Sequence, residues 1–239
     1  MREQLILLPG WAFGPAALQP LCEALTELAP ELDVVIEPLP ELAEANAWLD
    51  ELDRRLPRDS WLAGWSLGGM LAAQLAARRV DSCRGLITSA SKPCFRARPQ
   101  RPEGMAPDIV DAFHEACRLD PQETLKRFRS LCSRGAYDPR TLARQLQVSH
   151  AELPVAVLDA GLRLLAELDG RAALHGYFGP QLHLFAGNDA LVPASACAAL
   201  QRWMPGILAE LVPGSSHGLP LERADDMAAT IAAFIKGKV

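Results

Sequence analysis

The stretch Trp61-Leu62-Ala63-Gly64-Trp65-Ser66-Leu67-Gly68-Gly69-Met70, running on into Leu71-Ala72-Ala73-Gln74-Leu75-Ala76-Ala77-Arg78-Arg79, decides the fold. A short apolar run enters it, Gly64, Ser66 and Gly68 spell Gly-x-Ser-x-Gly in the middle, and strong helix formers leave it. This is the pattern of a strand, a sharp turn and a helix. A serine on such a turn is held in a strained backbone conformation and needs small neighbours two positions to either side. Its hydroxyl then points away from the sheet, beside a helix N-terminus whose free N–H groups can receive an oxyanion. Ser66 is therefore the expected nucleophile, and Leu67 N–H one expected donor of the oxyanion hole. Without its flanks the pentapeptide is a weak signal, because a small-residue turn also produces it.

Outward from this stretch, strands and helices alternate. Leu5-Ile6-Leu7-Leu8 is a buried parallel strand delivered into Pro9-Gly10-Trp11. Pro15–Leu28 carries apolar residues at helical spacing, with Pro20 a candidate for its true start. Leu32–Ile36 is a second strand, Glu41–Leu56 a helix and Arg84–Ala90 a further strand. The alternation predicts an α/β protein with a mostly parallel, doubly wound sheet whose ligands sit at the carboxyl ends of the strands.

The pattern breaks at Ser91-Lys92-Pro93-Cys94, and from there to about Gly170 only helices are expected. Asp120-Pro121 and Asp138-Pro139 each place an N-cap acid before a proline at the first helical position, and Pro107 and Pro154 suit helix starts as well. The expected organisation is a core made of residues 1–93 and 177–239 with an all-helical cap, residues 94–176, inserted over the site. Strands resume at Gln181–Gly187 and Ile207–Val212, with a helix over Ala194–Met204 between them and a last helix over Glu222–Lys236.

Composition narrows the function. The chain has 239 residues, 22% charged and 49% hydrophobic, with a formal net charge of −5. That balance argues against a nucleic-acid binder or a membrane-surface protein. No apolar run is long enough to span a bilayer and the N-terminus lacks a signal-peptide pattern, so a cytoplasmic location is expected; a monomer is expected as well. The six cysteines show no C-x-x-C spacing and read as reduced small hydrophobes, with neither a metal site nor a disulfide framework.

A serine hydroxyl needs a base, and the base needs an orienting acid. Of the five histidines only His217 follows a predicted strand directly; His114, His150 and His175 fall in or near the insertion and His183 lies inside a strand. Asp189 occupies the matching position after the preceding strand, although an Asp in a Gly-Asn-Asp turn also serves as turn chemistry. The chain order Ser66, Asp189, His217 is that of the α/β-hydrolases, and no metal or cofactor is needed for the chemistry. Trp11 N–H, in the loop after the first strand, is the expected second oxyanion donor, and its indole is either an apolar wall for an acyl chain or a core residue.

With these residues in place the chain resembles the α/β-hydrolase superfamily over its whole length. Within it, the chain resembles the BioH-type pimeloyl-acyl-carrier-protein methyl ester carboxylesterases of biotin synthesis. The resemblance rests on Gly64-Trp65-Ser66-Leu67-Gly68-Gly69, Ser89-Ala90-Ser91-Lys92-Pro93-Cys94-Phe95, Arg127-Phe128, Leu158-Asp159-Ala160-Gly161-Leu162 and Asp189-Ala190-Leu191-Val192-Pro193. It implies hydrolysis of a methyl ester on a pimeloyl chain carried by acyl carrier protein. By the same resemblance the chain would lie near Trp11, Leu67 and Phe128, and Arg127, Arg140 and Arg144 would meet the acidic carrier. From Cys94 to Gln145 there are ten Lys/Arg against seven Asp/Glu, a basic patch on an acidic protein, which a solvated helix face also explains. Two departures bear on specificity. Pro9 stands where family members typically carry His before Gly-Trp, and Glu37-Pro38-Leu39-Pro40-Glu41 lacks the Asp-x-Pro-Gly-x-Gly often found there. The same scaffold also suits a thioesterase, a broad short-chain carboxylesterase or a lyase using the triad as base, and a non-catalytic binding protein is the remaining alternative.

Overall fold

A computed structural model of the chain describes residues 2–99 and 103–237. The first half alternates as expected: β1 (Glu3–Leu8), α1 (Gln19–Leu28), β2 (Leu32–Ile36), α2 (Ala47–Arg55), β3 (Ser60–Trp65), α3 (Leu67–Arg79) and β4 (Cys83–Ser89). Helices α4 (Pro107–Leu119), α5 (Pro121–Ser133), α6 (Pro139–Val148), α7 (Val155–Glu167) and α8 (Arg171–Gly176) precede β5 (Gln181–Ala186). The chain closes with α9 (Ser195–Trp203), β6 (Leu208–Val212), α10 (Leu219–Glu222) and α11 (Ala224–Ile235).

The strands form one parallel sheet in the order β2-β1-β3-β4-β5-β6. Every residue of β3 and β5 is buried, which is why both read as near-continuous apolar runs. Strand order reverses direction between β1 and β3, whose ends are level because Leu8 pairs with Gly64. Their two outgoing loops therefore emerge side by side at the carboxyl edge, the place where such sheets bind ligands.

The helix starts follow their caps. Asp120 accepts a hydrogen bond from Glu123 N–H (3.0 Å) and Asp138 from Thr141 N–H (3.1 Å), as the Asp-Pro pairs predict. Pro20 does sit in the first turn of α1, the residues before it forming a short 3-10 turn, Pro15–Ala17. Three expectations need correction. The helix over Glu41–Leu56 begins only at Ala47, because the preceding segment folds back and the Leu42 carbonyl takes the Trp48 indole N–H (2.8 Å). Of its apolar residues Trp48, Leu49 and Leu52 lie in the helix, while Leu42 and Ala45 belong to the segment before it. Among the described residues, none between Cys94 and Pro107 is helical: Phe95 and Ala97 exchange backbone bonds with Met105 instead (2.7 and 2.8 Å). The last helix, expected from Glu222, runs over Ala224–Ile235 as α11, and a separate short helix, α10, precedes it over Leu219–Glu222.

Candidate active site

Ser66 stands between β3 and α3 with φ 55° and ψ −118°, a left-handed conformation that costs a non-glycine residue of order 1–3 kcal/mol. Close packing explains the glycines beside it. A Cβ on Gly64 would sit 2.2 Å from the Gly68 carbonyl, and one on Gly68 would sit 2.4 Å from the Leu8 and Pro9 carbonyl oxygens. Ser66 is also the N-cap of α3, yet its side chain makes no cap hydrogen bond. Serine at this position ordinarily spends its oxygen on the helix N–H groups; here the hydroxyl is left for another partner. Its backbone is held by Ser66 N–H to Ser89 O (2.9 Å) and by Ser91 Oγ–H to Ser66 O (2.9 Å).

That partner is His217. Its Nε2 lies 3.0 Å from Ser66 Oγ, and its Nδ1 lies 2.8 Å from Asp189 Oδ2. A carboxylate only accepts, so Nδ1 carries the proton and Nε2 is free to accept the serine O–H. The other Asp189 oxygen, Oδ1, accepts Leu191 N–H (2.7 Å) and Val192 N–H (2.9 Å), so the turn chemistry and the bond to His217 are both present in one side chain. The His217 and Asp189 side chains are 1% and 0% exposed, so their attraction is little screened by water. A hydroxyl in this setting can pass its proton to the imidazole as it attacks a carbonyl carbon.

Further contacts, with no clear signal in the sequence, hold the line in place. Trp65 Nε1–H donates to His217 O (2.8 Å), and Asn188 N–H to Ser215 O (2.8 Å). Glu222 Oε2 takes both Ser216 N–H (2.8 Å) and Ser216 Oγ–H (2.7 Å), while its Oε1 takes Tyr137 N–H (3.0 Å), tying the His217 loop to the connection between α5 and α6. Only the presence of a hydrogen-bonding tryptophan and glutamate near the two motifs could have pointed to them.

Leu67 N–H, at the start of α3, and Trp11 N–H, in the loop after β1, have no hydrogen-bond acceptor among the described residues. Both expected oxyanion donors are thus unspent. The Trp11 indole N–H donates to Leu158 O (3.0 Å), and its ring meets those of Phe128 (4.9 Å between centroids) and Phe113 (5.8 Å). Beyond them lies a cavity of about 160 Å³ between α4, α5 and α7 and the loops after β1 and β5. Trp11 and Phe128 line it with Phe95, Met105, Leu162 and Leu191, and among the described residues His114 is its one ionisable lining side chain. Leu67, expected as a further wall, is packed wholly in the core and takes no part in the lining.

The other candidate residues fall elsewhere. Arg127 on α5 and Arg140 and Arg144 on α6 are all exposed on neighbouring helices; Arg127 pairs with Glu123 (3.3 Å) and Arg144 donates to Thr141 Oγ1 (3.0 Å). His183 is buried within β5 against Thr88 (2.7 Å), and burial pushes its pKa down to about 4. All six cysteines are free thiols, each pushed towards the neutral form by burial, and none lines the cavity. Lys92, given no role of its own in the sequence, is buried and donates to Glu103 O (3.1 Å) and Leu191 O (3.2 Å). Burial lowers its pKa to about 8 against the opposing pull of Asp189 and Glu103. Among the described residues no group of three or more His, Cys, Asp or Glu is placed to hold a metal, and no helix is long and apolar enough to cross a membrane.

Residues 5–230 match the alpha/beta hydrolase family. The chain is 33% identical to a pimeloyl-[acyl-carrier protein] methyl ester esterase of Serratia marcescens (98% of this chain, 94% of that one). It is 34% identical to one of Aromatoleum aromaticum (99% of each). It is also 34% identical to the biotin biosynthesis bifunctional protein BioHC of Cellvibrio japonicus, of which it spans 47%. Two solved structures share the fold at low identity: a hydrolase from Oleispira antarctica (TM-score 0.86, 15% identical, 99% of this chain and 92% of that one) and an esterase from Exiguobacterium antarcticum (TM-score 0.83, 18% identical, 98% and 92%). The chain belongs to the alpha/beta hydrolase family, and within it is related over nearly its whole length to pimeloyl-[acyl-carrier protein] methyl ester esterases.

Proposed function

We propose that the chain is a serine carboxylesterase that hydrolyses the methyl ester of pimeloyl-acyl carrier protein in biotin biosynthesis, through an acyl-enzyme on Ser66. The observation that carries this reading is the unbroken line Ser66–His217–Asp189 at the edge of the sheet, beside an apolar cavity. Ser66 Oγ attacks the ester carbonyl carbon while its proton passes to His217 Nε2. The carbonyl oxygen takes the negative charge and is met by the N–H groups of Leu67 and Trp11. As the tetrahedral intermediate collapses, the C–O bond to methanol breaks and the imidazolium returns its proton to the departing oxygen. A water molecule then repeats the sequence on the acyl-enzyme, releasing the free carboxylate and restoring Ser66.

The acyl chain lies along Trp11 and Phe128, and residues 94–176 act as the cap over it. Arg127, Arg140 and Arg144 lie exposed on adjoining helices, which suits an acidic carrier protein. The reading is tested with pimeloyl-carrier-protein methyl ester beside a free short-chain methyl ester. Ser66→Ala is expected to lower kcat by at least about 10⁴-fold on both with the melting temperature unchanged, and retained turnover would sink the reading. Replacing the three arginines by alanine is expected to cost about tenfold or more in kcat/KM on the carrier substrate only, with the loss shrinking at high salt.

The almost wholly apolar lining of the cavity favours a second reading, a broad short-chain carboxylesterase or thioesterase. Release of a thiol rather than methanol from the carrier substrate, or equal turnover of free esters, would select it.

A further inference from the structure

The loop after β1 is tied to the connection between α6 and α7 by three hydrogen bonds. Gly14 N–H donates to Ser149 O (3.0 Å), Ala151 N–H to Ala12 O (3.1 Å), and His150 Nδ1–H to the same Ala12 O (2.7 Å). Phe13 and His150 form an isolated antiparallel bridge between the two segments. Inside the loop, Phe13 N–H donates to Gly10 O (3.2 Å) and closes a turn whose third residue, Ala12, has φ 63°. Turns of that shape ordinarily place glycine there, so the alanine is held by its surroundings.

Followed atom by atom, these bonds make one line through two peptide groups. His150 Nδ1–H donates to the Ala12 carbonyl, and the N–H of that same peptide group, on Phe13, donates to the Gly10 carbonyl. The N–H of that second peptide group is Trp11 N–H, which has no acceptor among the described residues. The line therefore ends on the donor proposed above for the oxyanion.

We infer that His150 is a positioning residue for ester hydrolysis: its imidazole braces and polarises the peptide line that aims Trp11 N–H at the developing oxyanion. The inference rests on the esterase reading. Hydrogen bonds in series strengthen one another, and a donor assists a tetrahedral intermediate to the extent that it is aimed beforehand. Pro9 has neither an N–H nor a side-chain donor to offer this loop, so the brace comes from across the molecule. Burial pushes the His150 pKa below the ordinary histidine value, outweighing the opposite effect of its bond to Ala12, and so favours the neutral ring at pH 7. Ala151 N–H would remain on Ala12 O in any side-chain variant, so removing the imidazole tests the brace without removing the bridge.

The test compares wild type, His150→Leu and His150→Asn on a soluble short-chain ester, with sites counted by complete reaction with a fluorophosphonate. Affinity for a boronic acid that forms a tetrahedral adduct on the serine is measured alongside. His150→Leu is expected to lose about 10- to 100-fold in kcat with KM within about twofold, and to bind the boronic acid correspondingly more weakly. His150→Asn, whose Nδ2–H reaches the position of the imidazole Nδ1–H, is expected to recover kcat to within about threefold of wild type. Unchanged kcat in His150→Leu overturns the inference, as does a loss shared between kcat, KM and melting temperature that asparagine does not restore. If wild type hydrolyses no ester, or Ser66→Ala turns over as fast as wild type, the esterase reading itself has failed and the inference falls with it.

Discussion

Ser66 combines three demands that few residues could meet at once: a left-handed backbone, a free hydroxyl at a helix N-cap, and neighbours small enough for the Leu8 and Pro9 carbonyls to lie against the turn. The glycines make this a packing problem before it is a chemical one. Gly68→Ala would drive a methyl group to 2.4 Å from two backbone carbonyl oxygens that belong to a buried strand end and cannot swing away. The expected result is a destabilisation of about 3 kcal/mol or more, read by urea unfolding, together with loss of reaction at Ser66. A variant as stable and as reactive as wild type would show that the turn has slack. Most of this was legible from five residues, because tight-turn chemistry is local. The brace on the Trp11 loop was not, since His150 lies 138 positions from Ala12.

Among the elements, the segment between β4 and α4 is organised by Lys92. Its ammonium holds the carbonyls of Glu103 and Leu191 and stands 5.2 Å from the Phe95 ring centroid, so one side chain joins three pieces of the cavity wall or its supports. Its pKa falls from 10.5 to about 8 on folding, mainly through burial. Between those values the unfolded chain binds more protons than the folded one, so this group's contribution to stability rises as pH climbs from about 8 towards 10.5. Wild type minus Lys92→Met should therefore show a stability difference that grows across that interval, by about 3 kcal/mol in all. A flat difference would mean that Lys92 titrates normally. The apolar spacing of Glu41–Leu56 misleads for a related reason: Trp48 reaches back to the Leu42 carbonyl, and periodicity alone cannot tell a helix from a wrap that buries the same side chains. The Asp-Pro helix starts were read correctly because a cap acts within three residues.

Core and insertion together enclose the cavity. The cavity of about 160 Å³ has walls from α4, α5, α7, the Trp11 loop and the Asp189 loop, and no one element encloses it. Filling it with Leu162→Trp is expected to raise KM for a seven-carbon acyl ester by about tenfold or more while leaving an acetyl ester within about twofold. Equal effects on both would place the chain elsewhere. Element types, the acyl-enzyme candidate and the residue kinds after three strands could all be read along the chain, because hydrophobic period, capping and turn chemistry act over a few neighbouring residues. Strand order, the meeting of Ser66 with a histidine 151 positions away and an aspartate 28 positions from that, and the shape of the cavity came only from packing. These depend on which surfaces bury one another, and no short-range pattern in a chain carries that information.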